Sequence, residues 1–367
     1  MQKAQRSSNI ELLRIVCILM VIAGHYYCHG GWTEGLSPAN TIFLKIFGGG
    51  SKLAVNCFVL ITGYFGAQIE TKRVLPLIRD RWFYSVFLTV VLVTGGICSL
   101  DGKMIFRTLF PLLSCRHNYI TVFVMLYFFI PLLNSIISKL EKRVFEKLLL
   151  TTIFFVSIIP SVYPKYANNT YAYILWMIIL YGIGRYLGTY EPTLPWKLLL
   201  AVSILALLML TFLVEPNIEI YSENYFTGTQ YSFPLLVASV SLFSIFAKWK
   251  MKYNDFINRV AKSTFAVYVI HDDPDVRAYI WSNVFHNSEF GHSSYLWIHF
   301  FGTVFLIYTI CVVVDKLYKL TVYKLLIKIP VNRIENLIDE FCSVEKLESA
   351  DQNIRIPSVK IFKGNER

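Results

Sequence analysis

The chain opens on an apolar run, NIELLRIVCILMVIAGHYY over residues 9–27, and runs of that kind recur along most of its length. Each is close to the twenty or so residues that a helix needs to cross a hydrocarbon layer, and none shows the narrow apolar stripe of a helix resting on a soluble core. Ten such segments fall at about residues 9–28, 41–64, 77–99, 119–138, 146–163, 171–189, 196–214, 230–247, 259–281 and 295–315. No polar linker interrupts them before about residue 316. The pattern predicts an all-α fold, a polytopic transmembrane helical bundle in one domain over residues 1–316. Lys316, Lys319, Lys324 and Lys328 then alternate with apolar positions. That spacing predicts an amphipathic interfacial helix over 317–345, and residues 346–367 read as a disordered tail.

Composition agrees with this reading. Hydrophobic residues make up 55% of the 367 positions and charged residues 16%, against about a quarter charged in soluble domains. Lysine and arginine gather in alternate loops. Those that begin with the N-terminal segment carry more than three times as many as the others, which hold only Lys103, Arg107, Arg116, Lys165 and Arg277. Cytoplasmic loops collect such residues, so both termini are expected inside. The net charge of +11 is then an orientation and lipid-contact signal, with no nucleic-acid partner implied. Glu11 and Arg14 lie within the first run and no small-residue cleavage motif follows, so it is expected to remain as the first helix. Seven cysteines are scattered without the paired spacing of a zinc or redox site, and no metal site is expected. Phosphate loops, HExxH, GxSxG and internal repeats are absent from the sequence.

Arg14 and His25 carry the first chemical signal. Eleven steps of a 3.6-residue helix turn through about 1100°, three turns plus about 20°, so the two share one face about 16 Å apart along the axis. Ionisable groups within a span are functional candidates by default. Each also has a plain reading: Arg14 sits close enough to the helix end to reach the headgroups, and His25 is near the other interface, where a carbonyl can hold it. His271, Asp272, Asp273, Asp275 and Arg277 surround Pro274 in the ninth run. A segment this polar does not face lipid, so the span is predicted to kink or open there. One of its carboxylates can orient an imidazole or bind hydroxyls, or the segment is an ordinary outer loop. Lys52 and Asn56, one turn apart, either face a polar cavity or pair with Glu11.

Several stretches together resemble the acyltransferase 3 family of integral membrane acyltransferases. They are the Glu-Leu-Leu-Arg opening at 11–14 followed by Gly24-His25, the run FVLITGYF ending in Thr62, Gly63 and Tyr64, and the basic residues Lys72, Arg73, Arg79 and Arg81. YITVFVMLYFFIPLLN (119–134), ILYGIGRYL (179–187) and INRVAKSTFAVYVIHDDPDVRAYIW (257–281) continue the likeness, the last in a form similar to members associated with capsule and exopolysaccharide. Two positions depart from the family pattern. The paired arginines stand two apart rather than three, and Asn118-Tyr119 replaces a usual Trp-Phe, which leaves open whether Arg79 or Arg81 is the counterpart.

The resemblance implies O-acyl transfer from cytoplasmic acyl-CoA, acetyl-CoA in the simplest case, to a hydroxyl of a surface polysaccharide or its lipid-linked precursor. It implies no bound cofactor and a location in the bacterial plasma membrane. It also implies roles for Arg14, His25 and a basic residue at 79 or 81. Chemistry fits these roles: imidazole is suited to take the hydroxyl proton, and guanidinium groups pair with the phosphates of the donor. Glu11, Lys52, Asn56, Tyr64, His271, Asp272 and Asp273 are expected near the cavity or the acceptor. A transporter or flippase of lipid-linked glycans is the rival class. It would share the helices but is expected to show internal repeats and paired broken helices.

Overall fold

The computed structural model describes residues 7–66, 71–164 and 169–326. Among the described residues every regular element is a helix. In chain order these are α1 (Ser8–His29), α2 (Pro38–Gly48), α3 (Ser51–Tyr64), α4 (Thr71–Thr94), α5 (Gly102–Leu109), α6 (Asn118–Lys139), α7 (Lys142–Ile153), α8 (Ile159–Val162) and α9 (Asn169–Tyr190). They continue with α10 (Trp196–Met209), α11 (Tyr225–Gly228), α12 (Phe233–Lys248), α13 (Asp255–Val260), α14 (Thr264–His271), α15 (Pro274–Tyr279), α16 (Leu296–Leu320) and α17 (Val322–Leu326).

Among the described residues, six segments are long and apolar enough to cross a membrane: Ser8–His29, Pro38–Tyr64, Asn118–Lys139, Lys142–Val162, Trp196–Asn217 and Leu296–Leu320. Other expected spans fall short for physical reasons. Helix α4 has the length but carries Arg79, Asp80 and Arg81 in its first half, α12 has only 16 residues, and the run at 259–281 is broken. Large apolar side chains on α10 and α16, such as Leu198, Leu205, Phe305 and Leu306, are exposed. A soluble domain rarely leaves such a surface open, whereas lipid covers it. The interfacial helix expected over 317–345 is seen only to Leu326. Its remainder, the tail 346–367, and the side chains of Lys72 and Arg73 lie outside the described residues.

Helix α1 sits at the centre of the bundle and packs on α2, α3, α12, α13, α14 and α16. Three successive glycines, Gly48 to Gly50, interrupt the second span between α2 and α3. There α1 comes close: a Cβ on Gly24 would collide with the Ser51 side chain. Glycine beside His25 therefore lets α1 press against the break. Helices α3 and α9 are joined the same way, because a Cβ on Gly184 would meet the Leu60 carbonyl and the backbone of Gly63 and Tyr64. Gly184 and Gly188 form the small-xxx-small pattern that lets membrane helices approach closely, so the TGY stretch of α3 is a packing surface.

The predicted opening at Pro274 is present. Helix α14 ends at His271, and α15 starts at Pro274 with Asp273 as its N-cap, accepting a 3.3 Å hydrogen bond from the Asp275 amide. Proline at the first helical position loses no hydrogen bond there, and aspartate caps the free amides. The break leaves His271 and Asp272 at a helix end beside α1.

Candidate active site

His25 and His271 come together across α1 and α14. His25 Nδ1 lies 3.0 Å from His271 Nε2, and His271 Nδ1 lies 2.5 Å from the Val267 carbonyl oxygen. A carbonyl only accepts, so His271 Nδ1 carries a proton. In neutral His271 the Nε2 atom is therefore an acceptor, and His25 Nδ1–H donates to it. One tautomer of His25 follows, with the lone pair on Nε2. The carboxylate of Asp272 reinforces it, with Oδ1 3.4 Å from His25 Nδ1. Arg277 Nη1 donates to the same oxygen at 2.8 Å, and the Tyr268 hydroxyl is bonded to the Asp272 side chain. His271 and Asp272 are buried, whereas His25 keeps a partly open face.

Two cavities flank this group. The larger, about 680 Å³, is lined along α1 by Glu11, Arg14, Ile18 and Val21, with Tyr119 and Tyr268 opposite and Lys262 at the rim. It extends to within one helical turn of His25, and Tyr268 separates it from Asp272. The smaller, about 360 Å³, lies beyond the His25 end of α1 and is lined by Cys28, His29, Gly31, Pro274 and Arg277. Arg14 faces the larger cavity, with its Nε 3.8 Å from Glu11 Oε1. His25 stands between two spaces reached from opposite ends of one helix.

Residues 7–316 match the acyltransferase-domain model of the acyltransferase 3 family. The chain belongs to that family. No curated protein and no solved structure matches it. It is thus a multi-pass membrane acyltransferase, and its remaining polar residues can be placed against that activity.

In the acyltransferase, neither arginine of α4 lines the 680 Å³ cavity. The Arg79 guanidinium lies 4.3 Å over the Tyr323 ring and 3.9 Å from Asp80. Arg81 is buried and donates from Nη2 to His117 Nδ1 at 2.8 Å. His117 precedes α6, where burial, with the Arg81 cation second, lowers its pKa from 6.5 to about 3. It is neutral at working pH. Asp273 points away from His25: both its oxygens take 2.8 Å hydrogen bonds from Arg116, which also reaches Asp275 at 2.9 Å. Asn56 is likewise committed elsewhere, donating to the Gln230 carbonyl at 2.9 Å and Ser239 Oγ at 3.2 Å while accepting from Trp176 Nε1 at 3.0 Å. Lys52 lies within electrostatic reach of Cys28 and His29, at the opposite end of α1 from Glu11. Tyr64 packs on Phe65 and Phe243.

The charge alternation counts Arg116 among the outer-loop residues, yet Arg116 and the neighbouring His117 are both buried. A signal was available. Asp272, Asp273 and Asp275 crowd three carboxylates into four positions with one arginine nearby, and buried charges of that density require partners from another element. The fold places one ligand-type atom from each of His25, His29 and Asp272 within 4.8 Å of one another, a group that could hold a metal ion although the sequence spacing gives no such motif.

Proposed function

We propose that this acyltransferase moves an acyl group, acetyl in the simplest case, from cytoplasmic acyl-CoA to a hydroxyl of a surface polysaccharide or its lipid-linked precursor, in the bacterial plasma membrane. The observation that carries this reading is the single tautomer of His25, which leaves Nε2 as the acceptor nitrogen, on a helix where the lining of one cavity ends at Val21 and that of the other begins at Cys28. With the N-terminus inside, the larger cavity opens to the cytoplasm and the smaller to the acceptor side.

The donor enters the larger cavity with its phosphates toward Arg14 and Lys262, since guanidinium and ammonium groups pair with phosphate at short range. Of the two arginines of α4, neither of which lines this cavity, Arg79 is taken as the one that assists, because Arg81 is committed to His117. Arg81 is enclosed with His117 and holds the wall behind Tyr268. The pantetheine arm extends along α1 and delivers the thioester near His25, a span of about 16 Å from Arg14. The acceptor hydroxyl approaches from the smaller cavity. As its oxygen attacks the thioester carbon, its proton passes to His25 Nε2. The C–S bond then breaks, His25 returns the proton to the departing thiolate, and an ester and free CoA result. Asp272 faces the imidazolium that forms in between and keeps the ring oriented, as the carboxylate does in other base-orienting triads.

The test is His25→Ala and Arg14→Ala in a strain whose surface-glycan acylation is followed by NMR, with protein levels checked in the membrane. Loss of acylation in the His25 variant, together with a raised acyl-CoA requirement in the Arg14 variant, is expected. Retained acylation with His25→Ala at normal protein level rules the mechanism out.

A further inference from the structure

At the end of α1 one ligand-type atom from each of His25, His29 and Asp272 lies within 4.8 Å of the others, and His271 Nε2 stands against His25 Nδ1. Zinc bonds imidazole nitrogen and carboxylate oxygen at about 2.0–2.2 Å in a tetrahedron, which sets neighbouring ligand atoms about 3.4 Å apart. His25 Nδ1 already stands 3.4 Å from Asp272 Oδ1 and 3.0 Å from His271 Nε2. His29 follows His25 by four residues on the same helix face, and its ligand atom lies within 4.8 Å of those of His25 and Asp272. It is exposed at the smaller cavity, so a side-chain rotation closes the remaining gap.

The surroundings fit as well. Metal-bound histidines characteristically donate their other ring nitrogen to a carbonyl or carboxylate, and metal-bound carboxylates are themselves hydrogen-bonded. His271 Nδ1 meets the Val267 carbonyl, and Arg277 donates to Asp272. A set of nitrogen and oxygen ligands suits zinc and cobalt better than magnesium or calcium.

We propose that His25, His271, Asp272 and His29 bind a divalent cation of the zinc type and that the bound ion switches acyl transfer off. Binding through His25 Nδ1 moves the imidazole proton to Nε2. The nitrogen that accepts the hydroxyl proton then carries one already, and no base remains. The ion enters from the smaller cavity, where His29 is the ligand first met. The inhibitory half of this inference rests on His25 acting as the base, whereas the binding half does not.

Purified full-length protein is titrated with Co²⁺ alone, and the visible bands of tetrahedral Co²⁺ are recorded. In parallel, acyl transfer is measured with Zn²⁺ and then with excess chelator. One Co²⁺ per chain, inhibition by Zn²⁺ and recovery with chelator are expected. His29→Ala should weaken Co²⁺ binding at least tenfold and remove the Zn²⁺ inhibition, with inhibition read as a fraction of that variant's own metal-free rate because His29 also lines the smaller cavity. His29→Cys, which restores a ligand, should restore both. Absence of the Co²⁺ spectrum, or equal Zn²⁺ inhibition of wild type and His29→Ala, overturns the proposal. The spectrum needs no turnover, so a chain that binds Co²⁺ yet transfers nothing overturns the transferase mechanism and leaves the metal site intact.

Discussion

Replacing Asp272 by asparagine removes one charge and almost no volume, and so isolates what that carboxylate does. Its Oδ1 stands 3.4 Å from His25 Nδ1. Once His25 holds the hydroxyl proton, a full charge pair at that distance is worth about 5 kcal/mol at an effective dielectric constant of about 20. Two effects reduce this figure. Proton transfer is incomplete at the transition state, and Arg277, 2.8 Å from the same oxygen, offsets part of the field. About 2 kcal/mol remains, or about a 30-fold fall in kcat. Asparagine keeps an oxygen for Arg277, so the helix end should hold its shape. Asp272 is not part of the 680 Å³ cavity lining, and KM for acyl-CoA should stay within about twofold, a loss confined to the transition state. The assay is steady-state thiol release from acyl-CoA in the presence of acceptor, using protein in lipid nanodiscs. An unchanged kcat would falsify the orienting role. A change only in KM for the acceptor would mean that Asp272 binds sugar hydroxyls instead.

Three further outcomes are expected. Arg116→Met leaves the buried Asp273 carboxylate without its cation and should lower stability by about 3–5 kcal/mol, read as a fall in the thermal midpoint in detergent; Arg116→Met combined with Asp273→Asn, which keeps an oxygen for the Asp275 amide, should recover most of it, and failure to recover would show that Arg116 acts elsewhere. Gly184→Leu forces a side chain into the Leu60 carbonyl and should separate α3 from α9, reducing folded protein in the membrane, whereas Gly102→Ala, with open space around its Cβ position, should be silent. His117, neutral to about pH 3 when folded but titrating near 6.5 when unfolded, makes the unfolded state bind the extra proton at intermediate pH. Stability is therefore full above pH 6.5 and falls as pH drops toward 3, by about 2 kcal/mol at pH 5; His117→Gln should flatten the thermal midpoint between pH 7 and 5, and an unaltered pH slope would refute the assignment.

Legibility in the sequence followed the range of each interaction. The helices and the stop at Pro274 depend on neighbouring residues, so hydropathy and an Asp-Pro pair carried them, whereas the run at 41–64 reads as continuous through the break at Gly48 to Gly50. Arg14 and His25 share a face by arithmetic alone, and the fold puts Arg14 on a cavity whose lining along α1 ends at Val21, about one turn short of His25. The pairing of His25 with His271 joins positions 246 apart in sequence, a separation over which periodicity is silent. The same holds for Arg116 with Asp273 and for Asn56 with Gln230, Ser239 and Trp176. In each case the sequence showed an expensive polar group within or beside a span, and that cost said a partner must exist without naming it. The choice of partner is what divides these residues by role. Asn56 and Asp273 meet groups that use their main hydrogen-bonding capacity, so they fasten helices. His25 meets a partner that takes one nitrogen and leaves the other as an acceptor, and the proton transfer proposed above rests on that second nitrogen.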